Sequence, residues 1–435
     1  MSARDQLGLE LTGASPAAAE GYRQAADAYH CYSGEPFPRL MAATADSPPF
    51  VMAHVLKAYM TLTGANTRVR KIGLAAVEAA RDLPATDRES GHVAAVQAMA
   101  AGEIRRAGRI LEDIAIAEPR DLVALQAGQL VDFLTGDARM LRDRIARARP
   151  AWTPDMPNYH AVLAMHAFGL EETGDYGRAE AAGREAIALQ PRNGWAQHAV
   201  AHVLEMQDRR AEGIAWMTAD PDAWSRQSFF AIHNYWHLAL FHLGLGDTEA
   251  VLRLYDGPIY GERSNLAFDM ADAAALLWRL HLQGVDVGGR WASLADVYAA
   301  EPRGQSAFDD VHALMAYVGA GRDAEAAATL MAMTAATQGP GDNARVTRDV
   351  GLPIGQAIQA FGAGDFATTA ELLRNVRNHA ARFGGSHAQR DVIDLTLIAS
   401  AERSGEASLA QALRAERGRS THPPLTPAKA GAQMG

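Results

Sequence analysis

The chain reads as all-α, a tetratricopeptide-like α-superhelix (solenoid) of about eight degenerate helix hairpins. Three observations predict this. The composition is 48% hydrophobic, rich in Ala, Leu, Glu and Arg, and poor in runs of β-branched residues. Apolar residues recur at helical rather than alternating spacing. Short Gly-acid turns return at Gly102-Glu103, Gly136-Asp137, Gly174-Asp175, Gln207-Asp208, Gly246-Asp247, Gly321-Arg322-Asp323 and Gly364-Asp365. Successive gaps are 34, 38, 33, 39, 75 and 43 residues. The period of a tetratricopeptide unit is about 34, and the 75-residue gap reads as two units with one degenerate turn.

Residues 1–16 are expected to be a flexible tail and 17–83 an irregular helical cap, with a turn at Gly34-Glu35-Pro36. The array then runs to residue 417 as one solenoid with no internal boundary. Its clearest unit is Tyr159 to Pro191, with Gly174 at the turn, Ala179 and Ala186 where helices approach, and Pro191 closing it. Ala101 to Pro119 repeats the turn and the closing proline at an offset of 72. A helix pair is expected within 265–301. Pro353 falls near the first turn of a helix, where its missing N–H costs little. Ser386 and Gln389 have capping-box spacing. The Pro/Gly/Thr-rich stretch 418–435 reads as disordered.

The bulk numbers exclude several function classes. A formal net charge of −10 argues against a nucleic-acid partner. No apolar run reaches the roughly 18 residues of a membrane span. MSARDQLGLE lacks the basic and apolar regions of a secretory signal. The single cysteine, Cys31, permits no internal disulfide and fits a reducing cytoplasm. It reads as a small buried hydrophobe.

The densest chemistry lies between His198 and His242, which hold five of the fifteen histidines. His198/His202 and His233/His237 are two His-x-x-x-His pairs, each on one helix face, with Glu205 a turn beyond the first. The two helices are expected to be neighbours, so His202 and His237 share a site. Asn234 accompanies them. Trp195, Tyr235 and Trp236 read as packing residues. Asp269 and Asp272 share a face at i, i+3, and His312 follows on a later helix. Arg348/Asp349 and Arg390/Asp391 each begin a helix and could bind an anion, or brace neighbouring helices as ion pairs.

These residues outline a polar ligand-binding lining: His198, His202, Glu205, His233, Asn234, His237, Asp269, Asp272, His312, Arg348, Asp349, Arg390 and Asp391. His202, His237 and Glu205 are the candidates for acid–base catalysis. No cofactor is expected, although His198, His202, His233 and His237 have the donors that a divalent metal needs. His-Glu-x-x-His is absent. Gly385-Ser386 lacks the context of a nucleophile elbow. Two functions stay open: a small-molecule pocket or enzyme, and a scaffold that binds a peptide or protein in its concave groove.

WAQHAVAHVLEMQ, HNYWHLAL, RDVGLP and GGSHAQRDV, together with WTPDMP and VGGRWASL, resemble the tetratricopeptide repeat protein 38 (StaR-like) family over residues 22–416. The resemblance implies a superhelical tetratricopeptide-like protein without an established reaction. One bacterial relative in a glycopeptide-antibiotic pathway has been ascribed flavoprotein hydroxylase activity. No Gly-x-Gly-x-x-Gly follows a strand pattern here, so the chain carries no flavin fingerprint of that kind.

Overall fold

In the computed structural model, which describes residues 3–63 and 67–419, helices follow one another from Pro16 to Arg419. Consecutive helices pack as pairs, among them Pro16–Cys31 with Pro36–Asp46, Val51–Leu62 with Thr67–Ala80, Tyr159–Glu171 with Tyr176–Leu189, and Leu352–Gly362 with Phe366–Val376. The one sheet among the described residues is a two-stranded ribbon, Ala3–Arg4 antiparallel to Glu10–Leu11. Thus residues 3–11, expected as a flexible tail, are ordered. The Asp5 carboxylate accepts from Leu7 N and Leu9 N at 2.9 Å each and closes the loop between the strands.

The Gly-acid turns work by dividing two tasks. Gly136, Gly174, Gly246 and Gly364 take φ between +67° and +83°, which ends a helix at little steric cost. The following aspartate then starts the next helix. Asp175, Asp247 and Asp365 accept from the backbone N–H three residues on, at 3.4, 3.1 and 3.1 Å. Where the sequence has Gln207-Asp208, Asp208 itself adopts φ +60°. The expected degenerate turn is at Gly284 (φ +77°), 38 residues after Gly246 and 37 before Gly321. Pro353 sits in the first turn of its helix, and the Ser386/Gln389 capping box is formed in both directions.

Contacts divide the chain into two compact units, where the sequence suggested one array. The first comprises 1–200, 222–231 and 340–342; the second comprises 201–221, 232–339 and 343–435. The first has a core built around Tyr22, Phe50, Leu56, Tyr59, Val96 and Leu111. The second is centred on Trp236, Leu276, Trp278, Leu294, Leu314 and Ile358. Trp278 shows how a large amphipathic ring is accommodated there: it is fully buried, and its Nε1–H donates to Thr396 Oγ1 at 2.9 Å. Cys31 is buried, as expected of a small apolar side chain. The last helix runs to Arg419; the rest of the stretch read as disordered, 420–435, lies outside the described residues. No helix among the described residues is long and apolar enough to cross a membrane.

Candidate functional site: a buried histidine–carboxylate centre

Three helices carry the centre. Gly194–Met206 supplies His202 and Glu205, Ala231–Gly244 supplies His233 and His237, and Ala267–Leu282 supplies Asp269 and Asp272. Their local sequence explains their faces. The i, i+3 and i, i+4 spacings place each set on one side of its helix, among alanines and leucines that bury it. Gly213 lets the Arg210–Ala219 helix come close to Ala231–Gly244, since a Cβ there would meet the Phe241 ring at 2.6 Å.

Within the second unit the rings meet. The imidazole centroids of His202 and His237 are 4.4 Å apart, and those of His233 and His237 are 4.9 Å apart. One ring nitrogen from each of the three lies within 4.8 Å of the other two. All three are buried, at 0–2% exposure. His202 and His237, expected on neighbouring helices, thus lie side by side.

Each imidazole on the middle helix has a carboxylate behind it. His233 Nδ1 is 2.8 Å from Asp272 Oδ2, and His237 Nδ1 is 2.9 Å from Glu205 Oε2. A carboxylate accepts, so Nδ1 carries the hydrogen and Nε2 presents its lone pair. Trp236 stacks on His233 at 12° between planes and meets His237 edge-on, and Phe268 lies 4.8 Å from the His233 ring. The rings are thus held by packing as well as by hydrogen bonds.

Burial sets the electrostatics. It drives His237 well below the ordinary imidazole range, and His202, His233 and Arg279 nearby push the same way. Burial raises Glu205 to about 7, against the opposing fields of His202 and Arg279. Asp269 is raised to about 6, again chiefly by burial, while Ser264 Oγ donates to its Oδ2 at 2.6 Å. A neutral imidazole is the form that binds a metal ion. Three imidazoles, two of them with an Nδ1 hydrogen fixed by a carboxylate, form a nitrogen donor set suited to zinc, cobalt, nickel or copper.

His198, one turn before His202 on the same helix, packs against Trp195, Phe168 and Phe230. Asn234 is fully buried beside His233 in sequence. His312 is buried with its Nδ1–H on Phe308 O at 2.8 Å, a helix-internal contact. Arg348 and Asp349 are exposed and do not line the centre, because the turn 347–351 buries Thr347, Val350 and Gly351 instead. Asp391 accepts a two-pronged contact from Arg417, which braces Ala407–Arg419 against His387–Arg403. Arg390 bonds Gly385 O, five residues back. The Asp391–Arg417 contact is an ion pair between two helices.

Sequence reasoning passed over Arg279. It is 4% exposed, donates to Ala275 O at 3.0 Å, and lies 5.2 Å from the Trp236 ring centroid as a cation–π partner. It also passed over a buried chain in the first unit, in which Tyr59 Oη, His92 and Asp121 connect at 2.9 Å each and Arg88 reaches Asp121 at 2.8 Å. Residues 59, 92 and 121 recur at about the repeat spacing, and that regularity was the available signal. No protein-family model matches the chain.

Proposed function

We propose that the protein is a metal-binding protein whose second unit holds one divalent transition metal, zinc foremost, between His202, His233 and His237, where it binds or processes a small molecule. The observation that carries this reading is the pair of carboxylate–imidazole contacts, Asp272–His233 and Glu205–His237, behind rings whose nitrogens lie within 4.8 Å of one another. Metal-ligating histidines almost always give their other N–H to a carboxylate, carbonyl or water, which sets the tautomer and aims the lone pair. Nitrogens around a tetrahedral zinc ion are about 3.3 Å apart, given bonds of about 2.0–2.1 Å. The observed spread, within 4.8 Å, closes to that through small side-chain rotations.

A peptide-clamping scaffold needs its polar residues on an open surface. Here the histidines are covered, which favours the small-molecule reading. The helix pairs and their recurring Gly-acid turns support divergent tetratricopeptide-like hairpins. The motif resemblance supports membership of the tetratricopeptide repeat protein 38 family, and two of its longest motifs contain the three histidines.

Competition of the full chain against a chromophoric chelator for zinc tests the reading. One equivalent bound per chain is expected, with His237→Ala weakening binding by about 100-fold or more while the apo protein melts within a few degrees of wild type. No binding in competition with the chelator, or equal binding by His237→Ala, overturns it.

A further inference from the structure

The first unit contains an amine that the metal centre does not use. Lysine is rare in this chain, at positions 57, 71 and 429 only, against a far larger number of arginines. Lys57 sits on the Val51–Leu62 helix and is 8% exposed. Its Nζ contacts Thr44 Oγ1 at 3.3 Å and the Met41 thioether sulfur at 3.9 Å, both on the Pro36–Asp46 helix. Both partners are neutral. Among the described residues no carboxylate forms an ion pair with it.

That is an unusual setting for an ammonium ion. A buried cation is normally paired, because the low-dielectric surroundings penalise its charge. Here, among the described residues, no opposite charge offsets the penalty, and burial lowers the amine's pKa. An uncharged amine is a nucleophile, and desolvation is one of the ways in which proteins make a lysine reactive.

A base accompanies it. His54 is three residues earlier on the same helix face and 7% exposed. Its Nε2–H donates to Pro48 O at 2.9 Å, which leaves Nδ1 as the lone-pair nitrogen, and that buried atom has no hydrogen-bond partner. Burial also keeps this ring below its ordinary pKa, with Lys57 contributing. Met41, 47% exposed, forms the outer edge of the site.

We propose that Lys57, with His54 as proton carrier, is a reactive amine that condenses with small aldehydes or ketones. The Nζ lone pair attacks the carbonyl carbon and the C=O π pair moves to oxygen. A proton passes from nitrogen to that oxygen by way of His54 Nδ1, giving a carbinolamine. Loss of water then leaves the imine, so that amine and carbonyl become imine and water with no change of oxidation state. Thr44 Oγ1 accepts from the amine and orients it.

The test treats the full chain with propanal and cyanoborohydride at pH 7 and follows alkylation of each lysine peptide by mass spectrometry. Lys71, exposed on Thr67–Ala80, is the internal standard. Burial lowers the Lys57 amine's pKa and so raises its neutral fraction, and Lys57 is expected to react several-fold faster than Lys71. His54→Asn, with its fold checked by melting, is expected to reduce that advantage without changing the Lys71 rate. Alkylation of Lys57 no faster than that of Lys71 overturns the proposal. An advantage that His54→Asn leaves intact overturns the role of His54.

Discussion

At the scale of single residues, the centre depends on what stands behind each imidazole. Asp272 and Glu205 each hold one Nδ1–H, and both are buried or nearly so. Replacing either by its amide keeps the size but loses the charge and the fixed tautomer. Asp272→Asn and Glu205→Gln are each expected to weaken zinc binding by about 10–100-fold in chelator competition. A change below two-fold in both would mean that the carboxylates serve packing alone. The histidine spacing made half of this legible, since i, i+4 pairs share a helix face wherever the helix goes. The carboxylate partners were less legible, because Asp272 lies 39 residues from His233 and pairs with it only once the helices pack. Arg348 and Asp349 show the opposite case: a charged dipeptide at a helix start looks the same whether it faces a ligand or solvent, and here it faces solvent.

At the scale of elements, the turns were the most readable part of the chain. A glycine with positive φ followed by an N-capping aspartate is a local instruction, independent of tertiary context. The turn at Gly284 escaped notice because Val285 follows it instead of an acid, so only half of the signal is present. The capping box of His387–Arg403 was legible for the same local reason. Ser386 is fully buried, and its Oγ accepts from Gln389 N at 3.3 Å while Gln389 Oε1 accepts from Ser386 N at 3.0 Å. Ser386→Ala is therefore expected to lower unfolding free energy by about 1–2 kcal/mol, at the upper end for a cap, because water cannot readily replace the lost acceptor. Urea denaturation of the two proteins measures this, and a difference below about 0.3 kcal/mol would contradict the role assigned to the cap.

At the scale of the whole molecule, contacts group the chain into two compact units with separate cores, a division that the repeat spacing does not announce. Periodicity reports which helices are alike, whereas the grouping of contacts depends on side-chain volumes along the entire chain. Both units bury neutral histidines, and this sets a pH dependence. His166 in the first and His312 in the second are each lowered to about 4, mainly by burial. Their unfolded pKa is near 6.5, so the unfolded chain binds more protons between about 4 and 6.5. Stability is fully present above about pH 6.5 and is lost as pH falls toward 4, by up to about 3 kcal/mol for each residue. Raised carboxyls such as Glu205 and Asp269 act with the opposite sign over the same range, so the readout is the difference in denaturation midpoint between His312→Asn and wild type from pH 7.5 to 4.5, which should shift in favour of the variant as pH falls. A difference that stays constant or shifts in favour of wild type would contradict the assignment.

The measurement that bears most directly on the metal centre is zinc K-edge X-ray absorption of the zinc-loaded full chain. A shell of nitrogen scatterers near 2.0–2.1 Å, with the outer-shell pattern of about three imidazoles that disappears in a His202→Ala, His237→Ala variant, is the predicted result. A shell of oxygen donors without imidazole scattering, or a spectrum unchanged in that variant, would contradict the centre assigned to His202, His233 and His237.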